Sequence, residues 1–313
     1  MAGVRLELQV AEGEAGLTLA AVLRRRVPGL TWSRARALCA RGKVLVAGAA
    51  VTDPATRLAC GQPVVLDEHA RDPSPPPVRI VFEDAQLVVI DKPAGVSSVP
   101  YERRETGTAM DLVRATWRAA GRRATETPLL IVHRLDKETS GLLLFAKTKR
   151  AEAALAAQLR AHSAGRTYLC VAHGRVTETR LASRLVADRG DGLRGTSRRR
   201  GGPGKESVTH VKPIEGLRGA TLCEVRLETG RSHQIRIHLS EAGHPVVGER
   251  VYVRDFERAG HRLIPTWRLL LHAASLRFAH PITGAPIELH TPPPPEFLGE
   301  VERLRQPRSS KGQ

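Results

Sequence analysis

The chain predicts an α+β fold divided into two units. Three observations lead there. Strand-like and helix-like segments are both present but do not alternate strictly, which disfavours a doubly wound parallel sheet. A proline run, RDPSPPP at 71–77, reads as an extended spacer. The length of 313 residues is enough for one sizeable domain plus a smaller one.

The first unit spans 1–70. Leu17 to Val27 and Ser33 to Ala40 space their apolar residues as helices do, with arginines between. Lys43 to Val46 and Gln62 to Leu66 read as short strands, with turn chemistry at Gly42, Gly48 and Gly61. A linker occupies 71–78, and the second unit runs over 79–298. Within it Val78 to Phe82, Leu87 to Asp91, Leu129 to Val132, Gly141 to Ala146 and Thr221 to Leu227 are strand-like. Asp111 to Ala119 and Arg150 to His162 are helix-like. Residues 188–206, DRGDGLRGTSRRRGGPGKE, have too little apolar content to pack and are expected to form a flexible basic insertion. Residues 299–313 are expected to be a C-terminal tail, polar and disordered from 305 onward.

Charge narrows the partners. Forty-nine Lys+Arg against 32 Asp+Glu give a net charge of +17, which favours a polyanion and salt-dependent binding. Charge alone does not separate RNA from DNA or from an anionic membrane surface. No run of about 20 apolar residues is present, so no membrane span is expected. The N-terminus lacks an apolar signal-peptide core. The four cysteines stand apart without a Cys-x-x-Cys pair, as in a reduced cytoplasmic protein rather than a zinc site or disulfide frame.

The string HRLDKETSGLLLFAKT, 133–148, carries the chemistry. Asp136 lies between Arg134 and Lys137, just before an apolar run. A carboxylate in such a place is either reactive or a turn residue capping local backbone N–H groups, and the string alone leaves both readings open.

This string resembles the catalytic motif of RluA-type RNA pseudouridine synthases. Four further strings resemble that family in the expected order. They are IVFEDAQLVVIDKPAGV (80–96), RTYLCVAHGRV (166–176), LETGRSHQIRIHLSEAGHPVVGE (227–249) and LLHAASLRFAHPITGAPIEL (270–289). The resemblance implies a mixed, mostly antiparallel sheet with an RNA-binding cleft along its face. It implies Asp136 as the catalytic carboxylate and Arg236 as the cation beside it, with Arg231 a second candidate. Tyr168 is implied to stack on the target base and join the proton transfers, next to Arg166. Arg134 is implied to fill the gap left by a flipped-out uridine. Leu135, Leu142 and Ile235 are candidates, by position, for an apolar wall around the uracil, and Gly141 and Gly230 for close backbone approaches.

The first unit is similar to the S-four-like RNA-binding domain. The matching positions are Ser33-Arg34, Gly42-Lys43-Val44 and Gly61. Arg34 and Lys43, with Arg24, Arg25, Arg26, Arg36 and Arg41, are candidates to track a phosphate backbone. Where that domain usually has Asn before the glycine of its hairpin turn, this chain has Ala47 before Gly48.

The implied reaction isomerises uridine, with no net redox change and no energy source, so no cofactor or metal is expected. Ribosomal RNA of the large subunit is the first expected substrate and transfer RNA the second, with the protein a monomer. Three other classes compete. A metal hydrolase is disfavoured because His233 and His238, five apart, do not converge on either a helix or a strand. A glycosidase needs two facing carboxylates, and here Asp136 has only Glu138 nearby. A non-catalytic RNA-binding or ribosome-assembly protein is the stronger rival, and Asp136→Asn separates it from an enzyme.

Overall fold

A computed structural model describes residues 5–51, 53–68, 77–100, 105–122, 127–197 and 203–305. Residues 71–76 of the expected linker, 198–202 of the insertion and 306–313 of the tail lie outside this set. The chain divides into two compact units, Met1–Pro75 and Pro76–Gln313.

In the first unit, β1 (Arg5–Gln9) is followed by α1 (Leu19–Arg26), α2 (Trp32–Ala40), β2 (Val44–Val46), β3 (Ala49–Ala50) and β4 (Pro63–Asp67). The strands form one sheet in the order β1-β4-β2-β3. Both helices start at a threonine. The side chains of Thr18 and Thr31 accept from Ala21 N and Arg34 N, satisfying N–H groups a helix cannot bond itself. Leu19, Val22, Leu23 and Leu38 from the helices pack with Val44, Val64 and Leu66 from the sheet. The sequence pattern missed β1, whose residues Arg5 and Glu7 are exposed on an edge.

The β2–β3 hairpin turns on Ala47 and Gly48, at φ 50° and 83°. Two successive left-handed residues make the turn that Asn-Gly suits best, and alanine bears a Cβ penalty there. Ala47→Asn is expected to stabilise the chain by about 0.5–1 kcal/mol, read as a higher urea midpoint.

In the second unit the elements are β5 (Ile80–Glu83), β6 (Leu87–Lys92), α3 (Ala109–Ala119), β7 (Leu130–Ile131), β8 (Ser140–Ala146), α4 (Lys149–Arg160), β9 (Gly165–His173), β10 (Thr179–Val186), β11 (Gly195–Thr196), β12 (Lys205–Leu217), β13 (Ala220–Leu227), α5 (Gln234–Glu241), α6 (Arg254–Arg258), β14 (Leu271–Ala279), β15 (Pro286–His290) and α7 (Pro295–Arg305). They build an 11-stranded sheet in the order β11-β10-β12-β13-β9-β14-β8-β6-β5, with β15 beside β14 and β7 beside β8. Every pairing is antiparallel except β14 with β8. The fold is thus α+β with a mixed, mostly antiparallel sheet.

β8 explains why its sequence is a continuous apolar run: both faces are covered. Leu143 and Phe145 pack with Val88, Ile90, Val113 and Trp117 on the α3 side. Leu142 and Leu144 pack with Leu87, Val89 and Leu155 on the α4 side. Helix α3 is started by a reciprocal cap between Thr108 and Asp111 and buries Leu112, Val113 and Trp117 at helical spacing.

The structure corrects two sequence expectations. Residues 299–305, assigned to the tail, belong to α7, whose Phe297, Val301 and Leu304 pack against Val171, Val247 and Leu270. Their polar neighbours hid a helical apolar stripe. Residues 188–197, expected to be flexible, form a hydrogen-bonded loop. Asp188 Oδ1 accepts from Gly190 N and Gly192 N, and Thr196 N donates to Glu241 Oε1 at 2.9 Å. Composition predicts packing against an apolar core, and this loop is held by charge instead.

Candidate active site

Asp136 sits in the loop between β7 and β8. The preceding segment clamps that loop from below. Ser98 Oγ donates to Leu135 O at 2.7 Å and accepts from Leu135 N at 2.9 Å. Gly95 N donates to Lys137 O at 2.8 Å. Lys92, fully buried, donates from Nζ to Pro93 O, Val96 O and Lys137 O. Burial pushes the Lys92 pKa down to about 7, while Glu138 and Asp136 pull it back up. Three carbonyl acceptors match the three donors of an ammonium, so the geometry favours the charged form.

Gly141 lies where β8 meets β14, at φ 110°, and a Cβ there would run into the Ala273 backbone. Only glycine lets the strand leave the loop at this angle. His133 is held below: its Nε2 accepts from Leu144 N at 3.1 Å. An acceptor nitrogen is unprotonated, and burial together with the Arg166 charge pushes the His133 pKa down to about 3. The unfolded chain therefore binds the extra proton below pH 6.5 and the folded one does not, so this contribution is complete above 6.5 and lost as pH falls toward 3. Wild-type stability is expected to fall between pH 6 and 4 with up to about 1.4 kcal/mol per pH unit from this group. His133→Gln, which keeps an acceptor, is expected to flatten the slope in urea titrations at several pH values.

Opposite the loop stands α5, whose side chains are buried almost all round. Its polar groups are individually satisfied. Gln234 Nε2 donates to Val208 O and Thr209 Oγ1, while its Oε1 accepts from Thr229 Oγ1 and Arg231 N. His238 bonds Thr209 and Ser183. Arg236 is thus aimed inward, not held on the surface. Its Nη1 donates to Asp136 Oδ2 at 3.3 Å, and its Nε and Nη2 grip Glu249 at 2.7 and 2.8 Å.

Glu249 has a side chain with no solvent exposure and also accepts from Arg250 N and Val251 N. Burial raises its pKa, but Arg236 and these N–H groups outweigh that and hold it below the ordinary carboxylate value. Arg236 loses some hydration on burial, and Glu249 and Asp136 more than restore its charge, so its pKa is raised. Among the described residues the Asp136 side-chain oxygens accept no backbone N–H, which separates it from a turn-capping aspartate; its backbone carbonyl accepts from Thr139 N.

His233 joins the group from the left-handed residue before α5 (φ 58°). Its Nε2 stands 3.9 Å from Asp136 Oδ1 and its Nδ1 is 2.7 Å from Tyr252 Oη. Burial, partly opposed by Asp136, lowers its pKa and leaves it neutral at pH 7.

These groups line a cleft of about 980 Å³ whose walls include Arg134, Leu135, Asp136, Arg166, Tyr168, Arg231, Ile235 and Arg236. Eight residues named from the second unit's sequence therefore converge. Leu135, Tyr168 and Ile235 are buried in one apolar cluster with Leu271. Burial raises the Tyr168 pKa and keeps the phenol protonated, although Arg166 pulls the other way. Arg166 is also buried; its Nη2 donates to Glu228 O at 3.2 Å, and a Cβ at Gly230 would collide with its guanidinium.

Three expectations change. Arg231 donates to Glu206 O instead of Asp136, leaving Arg236 as the cation on the carboxylate. Leu142 lies on the α4 side of β8 and does not line the cleft, because alternate residues of a strand face opposite ways. In the first unit Lys43 is buried, with 5 % exposure, and is not placed to lie along a phosphate backbone. Arg34 is half exposed and pairs with Glu68 at 3.2 Å. Arg26 pairs with the buried Glu14, and Arg24 stacks on the exposed Trp32 ring at 4.4 Å.

Lys92, Ser98, Glu249 and Tyr252 escaped the sequence reading. Glu249 had a signal: an arginine expected to be buried needs a counter-charge, and the same string ends in a glutamate. The other three carry none, since their partners are backbone carbonyls or residues distant along the chain.

The chain is similar to known proteins. The family described as RNA pseudouridylate synthase matches residues 86–241. The Ribosomal large subunit pseudouridine synthase D of Zymomonas mobilis is 36% identical over 80% of this chain and 81% of that protein. The protein of the same name from Pasteurella multocida is 33% identical over 97% of this chain and 96% of that protein. The solved structure of Human RNA Pseudouridylate Synthase Domain Containing 1 is similar with a TM-score of 0.55 and 25% identity, covering 69% of this chain and 84% of that one. The chain belongs to the RNA pseudouridylate synthase family and is an isomerase that acts on RNA.

Proposed function

We propose that the protein converts uridine to pseudouridine in large-subunit ribosomal RNA, with Asp136 as the reacting carboxylate. One observation carries the assignment of the residue: Asp136 reaches the cleft with its carboxylate paired to Arg236, whose other side is locked on buried Glu249. The curated relatives' names support the substrate. In the reaction the bond from uracil N1 to ribose C1′ breaks, the base rotates, and C5 bonds to C1′. The C5 proton leaves and N1 gains one, so atoms and electrons balance without a cofactor. An ionised carboxylate serves such a sequence as nucleophile or base. Tyr168, protonated, offers a ring face and a hydroxyl to the flipped base, and Leu135 and Ile235 exclude water around it. Arg134, exposed on the same loop, is suited to fill the vacated stack.

The first unit, with Arg34 and the Arg24–Trp32 stack exposed, supports RNA attachment. The protein works as a monomer in the cytoplasm, where ribosomes are made. Among the described residues, no helix is long and apolar enough to cross a membrane. Pseudouridine mapping of total RNA from cells lacking the gene tests the substrate. Loss of large-subunit sites, restored by wild type, is the expected result. Loss confined to transfer RNA sites redirects the substrate, and no change anywhere favours a non-catalytic RNA-binding role.

A further inference from the structure

We propose that Arg194 forms a phosphate-binding subsite for the RNA backbone at the active-site cleft, beside His233 and Tyr252. This rests on the RNA-modifying reading above and adds a contact to it.

The first support is placement. Arg194 lines the same cleft as Asp136, Tyr168 and Arg236, although it belongs to the loop after β10. Its charge is felt at both His233 and Tyr252, the pair next to the reacting carboxylate.

The second is the way the loop is held. Arg189 pairs with Asp191 at 3.1 Å, with Asp255 at 3.3 Å and with Glu241 at 3.7 Å. Arg254 also pairs with Asp191. Thr196 Oγ1 donates to Glu241 Oε2 at 2.5 Å, and Leu193 packs on Ile237 and Tyr252. A Cβ at Gly195 would meet the Arg189 and Glu241 side chains, so a larger residue there would displace the ion pairs at the loop's base. These anchors fasten the loop to α6 and to α5, the helix that carries Arg236. A loop merely connecting two strands has no need of this many ion pairs at its base.

The third is the absence of a protein partner. Arg236, Arg166 and Arg231 are engaged by Glu249, Glu228 O and Glu206 O. Among the described residues Arg194 has no hydrogen bond or ion pair, and its side chain is exposed. Arg134 and Arg160 share that state, but Arg134 rides on the reacting loop and Arg160 ends α4. Arg194 is an unpaired guanidinium on a backbone held by ion pairs, so little backbone order is lost when it binds. A flipped nucleotide draws its own phosphates toward the protein, and a guanidinium matches a phosphate with two parallel hydrogen bonds.

The test uses the full chain and RNA purified from cells lacking the gene. Initial rates of pseudouridine formation are measured for wild type, Arg194→Ala and Arg194→Lys across potassium chloride concentrations. For Arg194→Ala, KM is expected to rise roughly tenfold with kcat within about twofold. The slope of log kcat/KM against log salt is expected to shrink by about 0.7–0.9, one phosphate contact. Arg194→Lys is expected to recover that slope, because it keeps the charge. An unchanged KM and slope in Arg194→Ala, with wild type active, overturns the subsite. A fall in kcat with the slope intact also overturns it, since that is a structural effect on the loop. Inactive wild type overturns the enzyme reading itself, and is seen before any variant is compared.

Discussion

Asp136→Asn is expected to reduce pseudouridine formation on the order of 10⁴-fold while RNA affinity stays within about threefold. The substitution is nearly isosteric and removes one charge and no volume. Arg236 does not collapse into the site, because Glu249 holds its Nε and Nη2 independently of the aspartate. The loop keeps its course as well. Ser98 binds Leu135, and Thr139 N bonds the Asp136 carbonyl, which asparagine retains. Thermal stability should therefore change by less than about 1 kcal/mol, the scale of a single partly exposed ion pair. Single-turnover assays and filter binding on the same RNA read the two effects separately. Activity within tenfold of wild type would sink Asp136 as the reacting group, and equal loss of binding and rate would make it a binding residue.

Glu249→Gln is the second large effect, and it falls on stability first. Arg236 has a side chain only 8% exposed, and Glu249 is its bidentate partner. Glutamine keeps the size but turns an acceptor pair into one acceptor and one donor, leaving a buried cation short of its counter-charge. Breaking such a pair costs about 3–5 kcal/mol. The backbone N–H groups of Arg250 and Val251 also lose a charged acceptor, which loosens the turn leading to Tyr252. Arg236 then relaxes around Asp136, and a misplacement of about 1 Å at a reacting group is expected to lower the rate by about 10²-fold. Adding Arg236→Met separates the two consequences. The double variant is expected to regain part of that stability, because no buried cation is left without its counter-charge, but not activity. Urea denaturation with rate measurements on both variants checks this, and a double variant as unstable as Glu249→Gln would refute the account.

The residues around Asp136 were legible because their chemistry is local. Asp136 stands in one string with Arg134 and Leu135, and Arg236 in another with Arg231 and Ile235. The resemblance of those strings to a known family pointed to each of them. What supports them was illegible. Lys92 binds carbonyl oxygens, and every residue has one, so no side-chain pattern marks its partners. Leu142 and Leu143 are chemically equal neighbours, and only the phase of β8 decides which faces the cleft side. His233 and His238 invited a metal reading by their count. In the structure they turn to different partners, Tyr252 for one and Thr209 and Ser183 for the other.

Sequence by itself determined the α+β class, the division near the proline run and the family, and it singled out the candidate carboxylate. Hydrophobic period, turn residues and motif order are properties of neighbours along the chain, and they survive without coordinates. Only the tertiary structure decided that Arg236, not Arg231, meets Asp136, that Glu249 fixes it, and that the loop at 188–197 brings Arg194 to the cleft. Those are pairings across 100, 13 and more residues of chain. Long-range pairings depend on how the strands are ordered in the sheet, and the spacing of residues along the chain does not encode that order.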